Sequence, residues 1–187
     1  MRVLLTNFAL DHRGGSDLYV RDVALALRER GHHPEVFSPR LGTVSDDLRA
    51  AGVAVVDDLT ALEAAPDLIH GQHHLPTMTA LLHFPRTPAV FFCHGSVPWE
   101  EKPPRFPRIL RYVAVDQACR DRVTREAGIP EAMVEVILNF VDLRRFGERP
   151  PLPPRPARAL VFSNQASEAT HLPAIREACE ARGISVD

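Results

Sequence analysis

The chain has 187 residues, 45% of them apolar and 25% charged. That is enough for one α/β domain with part of another, and too little for two ordinary domains. Its 22 basic and 24 acidic residues are interspersed and sum to −2, which argues against nucleic acid as a partner. No run approaches the roughly 18 consecutive apolar residues of a spanning helix, and the short start Val3-Leu4-Leu5 lacks the length and cleavage site of a secretory signal, so a cytoplasmic protein is expected.

The apolar run over residues 3–6 reads as a first strand. A helix over 16–30 follows, with Ser16 as its cap, Tyr19, Val23, Ala26 and Leu27 on its packed face, and Gly31 as its stop. A strand over 35–38 precedes a shorter helix over 45–51 that Gly52 ends. Strands are then expected over 53–56, 68–70, 89–93, 112–115 and 133–138, with helices over 76–83 and 116–127. The last of these carries Cys119, Val123 and Ala127 and stops at Gly128. Short apolar runs alternating with helical periods predict an α/β fold, a doubly wound, Rossmann-like parallel sheet. Cys93, Cys119 and Cys179 are odd in number, widely spaced and set in apolar patterns, so they read as structural thiols.

Five of the seven residues from Pro150 to Pro156 are proline, the texture of a stiff extended linker. The expected organisation is a domain over 1–149, a linker over 150–157 and the start of a second domain over 158–187. In that last part a strand over 159–163, a helix to Arg182 stopped by Gly183, and a strand from Ile184 are expected. One strand and one helix cannot enclose a core, so the second domain is read as cut short.

Four segments carry candidate chemistry. Gly14-Gly15-Ser16 opens the long helix after the first strand, where free N–H groups and the helix dipole favour an anion such as phosphate. It is neither a dinucleotide fingerprint nor a phosphate-binding P-loop, and a plain tight turn is the simpler alternative. The strand ending at His70 leads into Gly71-Gln72-His73-His74; ligands of open α/β sheets bind outside such strand ends. Metal is not favoured there, because no acidic or cysteine partner stands at ligand spacing. A second strand ends in His94 and runs into an irregular stretch with Trp99, Glu100 and Glu101. A neutral imidazole can donate to and accept from sugar hydroxyls, although it can equally satisfy backbone groups at a strand end. Finally, Asn139-Phe140-Val141-Asp142 has the composition of a turn.

Taken in this order, with Gly31-His32, Pro66-Asp67-Leu68-Ile69-His70, Leu143 and Phe146, these segments resemble the amino-terminal domain of family 4 GT-B glycosyltransferases, the group 1 or glycogen-synthase-like transferases. The resemblance spans residues 3 to 146. It implies two doubly wound domains facing a cleft, the first taking the acceptor and the second a nucleotide-sugar donor. It further implies transfer with retention and neither bound metal nor cofactor. Under it, His94 lies beside the transferred sugar as the catalytic residue, and Gly14, Gly15, Ser16 and Asn164 approach the donor. Asn7, His73, His74 and Trp99 are placed as acceptor-binding residues. The partners implied are a nucleotide-sugar and a sugar, lipid-linked or small-molecule acceptor; peripheral membrane contact is left open.

The sequence departs from the family pattern at Phe140, where the family has glycine. It departs again over residues 163–169, which hold no Arg or Lys where the family places cations for the diphosphate. The family's paired glutamates would lie beyond Asp187, so the chain alone is expected not to turn over. A nucleotide-sugar epimerase of the same fold, or a non-catalytic carbohydrate- or phosphate-binding member, are the alternatives.

Overall fold

The computed structural model describes residues 1–161 and 170–187, and the chain divides into two units, Met1–Phe140 and Val141–Asp187. The first contains strands β1 (Arg2–Thr6), β2 (His33–Phe37), β3 (Ala54–Val56), β4 (Leu68–Gln72), β5 (Ala89–Cys93), β6 (Ile109–Ala114) and β7 (Val134–Val136). All pair in parallel, in the order β3-β2-β1-β4-β5-β6-β7. The winding reverses between β1 and β4, and loops leaving those two strands diverge to opposite sides and leave a crevice. The expected doubly wound, Rossmann-like α/β sheet is therefore present.

Helices α1 (Gly15–Glu29) and α2 (Thr43–Ala50) cover one face. Val3 and Leu5 of β1 pack there with Val20, Ala24, Val36, Val44 and Leu48. The opposite face carries Leu4, Ile69, Phe91 and Tyr112, closed by Ala80 and Leu81 of α3 (His74–His83) and by Cys119 of α4 (Gln117–Asp121). Strand residues alternate between these clusters because side chains alternate across a pleated strand. Burying each Leu or Phe contributes about 1.5 to 3 kcal/mol. Gly31, Gly52 and Gly128 each end a helical stretch with positive φ, the left-handed conformation that lacks a Cβ penalty only for glycine.

Several boundaries differ from the expected ones for physical reasons. Ser16 does not cap α1: Gly14 holds the cap position with no side-chain bond, and Ser16 lies inside the first turn. The most buried positions of α1 are Asp17, Val20 and Ala24, and the expected Val23 and Leu27 pack beside them, whereas Tyr19 turns toward the rim of the sheet. Strand β6 starts at Ile109 rather than Tyr112 because the register shifts between Ala89 and Val90 and leaves Leu110 without a partner. That bulge breaks the alternation by which strands are recognised. The helix expected over 116–127 is two pieces, α4 and a π-type turn, Arg122–Glu126, with Asp116 accepting the Cys119 N–H at its start. Helix α3 begins at His74, ahead of Pro76.

The second unit contains a two-stranded parallel ladder, β8 (Arg158–Ala159) with β9 (Ser185–Val186), and helix α5 (Leu172–Glu180). None of its described residues is buried. The expected strand over 159–163 and the donor-side residue Asn164 fall partly or wholly on residues 162–169, outside the described residues, as does the stretch without Arg or Lys. Among the described residues no helix is long and apolar enough to cross a membrane.

Candidate functional site

The crevice between β1 and β4 is stitched by hydroxyls. Their ladder ends at Leu5 and His70; beyond it the Gln72 N–H donates to Thr6 Oγ1 at 3.0 Å, while Thr77 Oγ1 donates to the Gln72 carbonyl at 3.2 Å. Gly71 permits this closeness, since a Cβ there would lie 2.6 Å from Thr77 Cγ2. Immediately afterwards His73 adopts φ 59° and ψ 139°. A non-glycine residue in such backbone is strained by about 1 to 3 kcal/mol and persists only where its surroundings over-determine it.

Those surroundings are visible. His73 Nδ1 accepts the Phe8 N–H at 3.0 Å, from the loop after β1, and its Nε2 lies 3.3 Å from Glu101 Oε1. Because Nδ1 accepts, the ring proton sits on Nε2 and is donated to Glu101. Glu101 Oε2 in turn accepts the His94 N–H at 2.9 Å. One carboxylate, 5% exposed, thus ties together the loops that follow β1, β4 and β5. Burial pushes its carboxyl up, but the His73 ring and the His94 N–H outweigh that, and the net effect is downward. Glu101 belongs to a 3-10 turn, Trp99–Glu101, pinned by the Cys93 thiol on the Glu101 carbonyl and by Arg122 Nη1 on the Gly95 carbonyl at 3.0 Å.

Two cavities open on this rim. The first, about 350 Å³, is lined by Gly15, Ser16 and Tyr19 of α1, by His94 and Gly95, and by Asn139 and Phe140 beyond β7. The second, about 370 Å³, is lined by Phe8 and Gly14 on the β1 side, by Asp17, and by His73 and Glu100 opposite. Ser16, Pro98 and Glu101 line both, and the volumes suit a monosaccharide-sized ligand.

His94 faces the first cavity with its ring 4.5 Å from that of Tyr19, edge to face. Burial lowers its pKa to about 4 against the opposing pull of Glu101, so the imidazole is neutral at pH 7. Its buried Nε2 has no hydrogen-bond partner among the described residues. His70, stacked 4.0 Å from Phe92, is likewise lowered to about 4 by burial. Burial also raises Tyr19 to about 12. The wall of the first cavity therefore joins two neutral, hydrogen-bonding rings, His94 and Tyr19, to the carboxylates of Asp22 and Glu101.

Of the residues singled out from sequence, Gly14, Gly15, Ser16, His73 and His94 line these cavities. The other three described ones do not. Asn7 is fully buried and its Nδ2 donates to Asp17 Oδ1 at 2.9 Å. His74 Nδ1 donates to the Lys102 carbonyl at 3.0 Å. Trp99 is exposed, with its ring 6.2 Å from that of Phe8. Sequence reasoning missed Glu101 and Asp17 as site residues. Among the described residues no group of three or more His, Cys, Asp or Glu side chains is disposed to hold a metal ion.

The sheet order, the crevice at its switch point and the rim cavities define the Rossmann-like amino-terminal half of a GT-B glycosyltransferase architecture. Residues 13–145 match the model of Glycosyltransferase Family 4, and the chain belongs to that family. Among solved structures it is similar to a glycosyltransferase from Rickettsia africae, with TM-score 0.59 and 15% identity over 98% of this chain and 49% of that one. It is also similar to HepE of Anabaena in complex with UDP, with TM-score 0.58 and 17% identity over 95% and 50%. A third similar structure is a putative UDP-N-acetylglucosamine 2-epimerase from Listeria monocytogenes, with TM-score 0.55 and 11% identity over 99% and 61%. The chain spans about half the length of the first two. Comparison with curated protein sequences gives no match.

Proposed function

We propose that this chain supplies the acceptor side of a glycosyltransferase that moves a sugar from a nucleotide-diphosphate donor to an acceptor hydroxyl, with retention and without a bound metal. The observation that carries the reading is the meeting of Gly15, His94 and Asn139, from three separate strand ends, around one cavity. In this reading the neutral His94 hydrogen-bonds the transferred sugar, whose charge in the transition state is oxocarbenium-like. Fixed dipoles in a closed, water-poor cleft stabilise such charge without reorganising at the moment of reaction. Gly14, Gly15 and Ser16 approach the donor with backbone N–H groups, and His73 and Glu101 hold the acceptor wall in place. Asn164 is proposed on the donor side, and residues 1–149 as the acceptor domain joined by the 150–157 linker to the donor domain. The 187-residue chain alone is proposed to bind ligand without turnover. HepE of Anabaena, crystallised with UDP and with UDP-glucose, is consistent with a UDP-sugar as the first donor to try.

The native gene product incubated with UDP-, GDP- and ADP-sugars tests this. Release of nucleotide diphosphate matched by acceptor modification is expected, with the α or β configuration of the donor kept in the product and the rate unchanged by EDTA. Interconversion of the nucleotide-sugar with no loss of nucleotide would instead establish the epimerase reading that the Listeria fold likeness raises. No turnover and no binding of any donor would refute both.

A further inference from the structure

Nine buried side-chain nitrogen or oxygen atoms have no hydrogen-bond partner among the described residues. Four belong to Arg2, Asp11, Glu35 and Arg122, side chains already engaged in ion pairs. The other five are Asn7 Oδ1, His70 Nδ1, both amide atoms of Gln72, and His94 Nε2, and the sheet gathers all of them beneath α1. Leu5, which packs under α1, is paired with His70, and Gln72 is paired with Phe92. Side chains alternate along a strand, so Asn7, His70, Gln72, Phe92 and His94 project to the α1 face from the ends of adjacent strands β1, β4 and β5. Asn7 meets Asp17 of α1 there, and the Tyr19 ring lies against those of His70, Phe92 and His94 at 6.1, 5.9 and 4.5 Å. Gln72 stands at the centre of the group and, like Asn7, is 0% exposed. The Gln72 N–H turns to the Thr6 hydroxyl at 3.0 Å, so the main chains of β1 and β4 no longer pair directly at this level.

The chemistry of the five atoms selects their partner. A cation would face the Gln72 Nε2 donor, and an anion would face the Gln72 and Asn7 oxygens. A ligand in either cavity is screened from both side chains, which are buried and line neither wall. Water both donates and accepts, and internal water making about three hydrogen bonds to otherwise unpartnered groups is a regular part of protein interiors. It joins polar groups that stand beyond direct reach of one another.

We propose that internal water occupies the space beneath α1, bridging the Gln72 amide to Asn7 Oδ1 on one side and to His94 Nε2 on the other, and that Gln72 is thereby a positioning residue for His94. The water site stands on the packing alone; its effect on turnover rests on the transferase reading. In a neutral imidazole one nitrogen donates and the other accepts, so a partner held at Nε2 fixes which is which. It also fixes the tilt of the ring against Tyr19, on the wall of the first cavity.

In high-resolution crystals of the full chain, ordered water is expected within about 3.2 Å of the Gln72 amide and of Asn7 Oδ1 and His94 Nε2. Oxygen-17 relaxation dispersion should detect the same molecules in solution as long-lived. Gln72→Met keeps the length of the side chain without its donors and acceptor, and should lower that count. In nitrogen-15 spectra the His94 ring should show a single tautomer in the native chain and a mixture in Gln72→Met. In the native gene product the same substitution should lower kcat about tenfold or more and leave KM for the donor within about twofold. A Gln72 amide bonded directly to Asn7 or His94 with no water between would overturn the proposal, and so would a water count and a His94 tautomer that Gln72→Met leaves unchanged. Should that variant not fold, the crystals and relaxation of the native chain decide alone. An altered tautomer with unchanged kcat would overturn the positioning role, whereas absence of turnover with any donor would sink the transferase reading and leave the water site standing.

Discussion

Replacing Glu101 by glutamine probes the join on which the whole rim depends. The carboxylate accepts from His73 Nε2 at 3.3 Å and from the His94 N–H at 2.9 Å, and it is 5% exposed. A glutamine of the same shape has one accepting oxygen and one donating NH₂, so only one of the two donors can be satisfied. The other faces a second donor across a buried contact. Hydrogen bonds to a charged group contribute about 1.5 to 3 kcal/mol, and removing the buried charge returns some desolvation energy. A net loss of about 2 kcal/mol is expected, or about 4 to 8 °C in thermal midpoint for a chain of this size.

The pH dependence identifies the cause. The Glu101 carboxyl is held below its ordinary value in the fold, so its contribution is fully present above the unfolded value and is lost as pH falls through the folded one. Urea unfolding of the native chain and of Glu101→Gln at pH 7 should therefore differ by about 2 kcal/mol, the gap closing as pH drops below about 4. A variant within 0.5 kcal/mol of the native chain at pH 7, on the order of the scatter for ordinary surface substitutions, would refute the reasoning. So would a gap that stays constant into acid.

Other outcomes follow from the same geometry. His70 and His94 bind protons near pH 6.5 when unfolded but only near about 4 when folded, so acid favours the unfolded chain. Stability should fall by about 2 kcal/mol per histidine between pH 7 and pH 5, and His70→Phe should flatten the urea-measured slope by one such share. Gly71→Ala would place a methyl 2.6 Å from Thr77 Cγ2 and should destabilise by about 1 to 3 kcal/mol in the same assay; an unchanged midpoint would show that Thr77 moves freely. His94→Ala should lower turnover of the native gene product far more than it lowers thermal stability, whereas equal losses would mark it as structural. Cys93 and Cys119 are buried and Cys179 is partly exposed, and burial raises both buried thiols, Cys119 to about 11. A chromogenic disulfide reagent should accordingly titrate one thiol in the folded chain and three in denaturant.

The sheet was largely legible because its signals are local. Apolar runs such as Ile69, Phe91 and Val113, and glycine stops at 31, 52 and 128, are one-dimensional patterns that survive without knowledge of neighbours. The two that misled were broken by tertiary contacts: the Leu110 bulge arises from pairing with β5, and the phase of α1 is set by Asp17 turning inward to Asn7. The candidate site was legible only in part. Gly14, Gly15 and His94 stand at strand and helix ends, which periodicity locates. Glu101 stands in a proline-rich stretch and meets His73 from 28 positions away, so no spacing rule could pair them. Asp17 was overlooked because a Gly-Gly-Ser turn before a helix suggests an anion supplied from outside, and here the protein supplies a carboxylate itself. A sequence signal did exist: an acidic residue two positions after the second glycine is a natural occupant of a first helical turn.

All seven strands of the first unit point the same way, so every segment that leaves a strand's carboxyl end emerges on one shore, and every returning segment enters on the other. Lengthening or recolouring a loop on the first shore redraws the ligand wall while the packed layers beneath keep their partners. Changes at Phe8 or Glu100, which line the rim outside both core clusters, would alter the ligand wall and leave those clusters as they are.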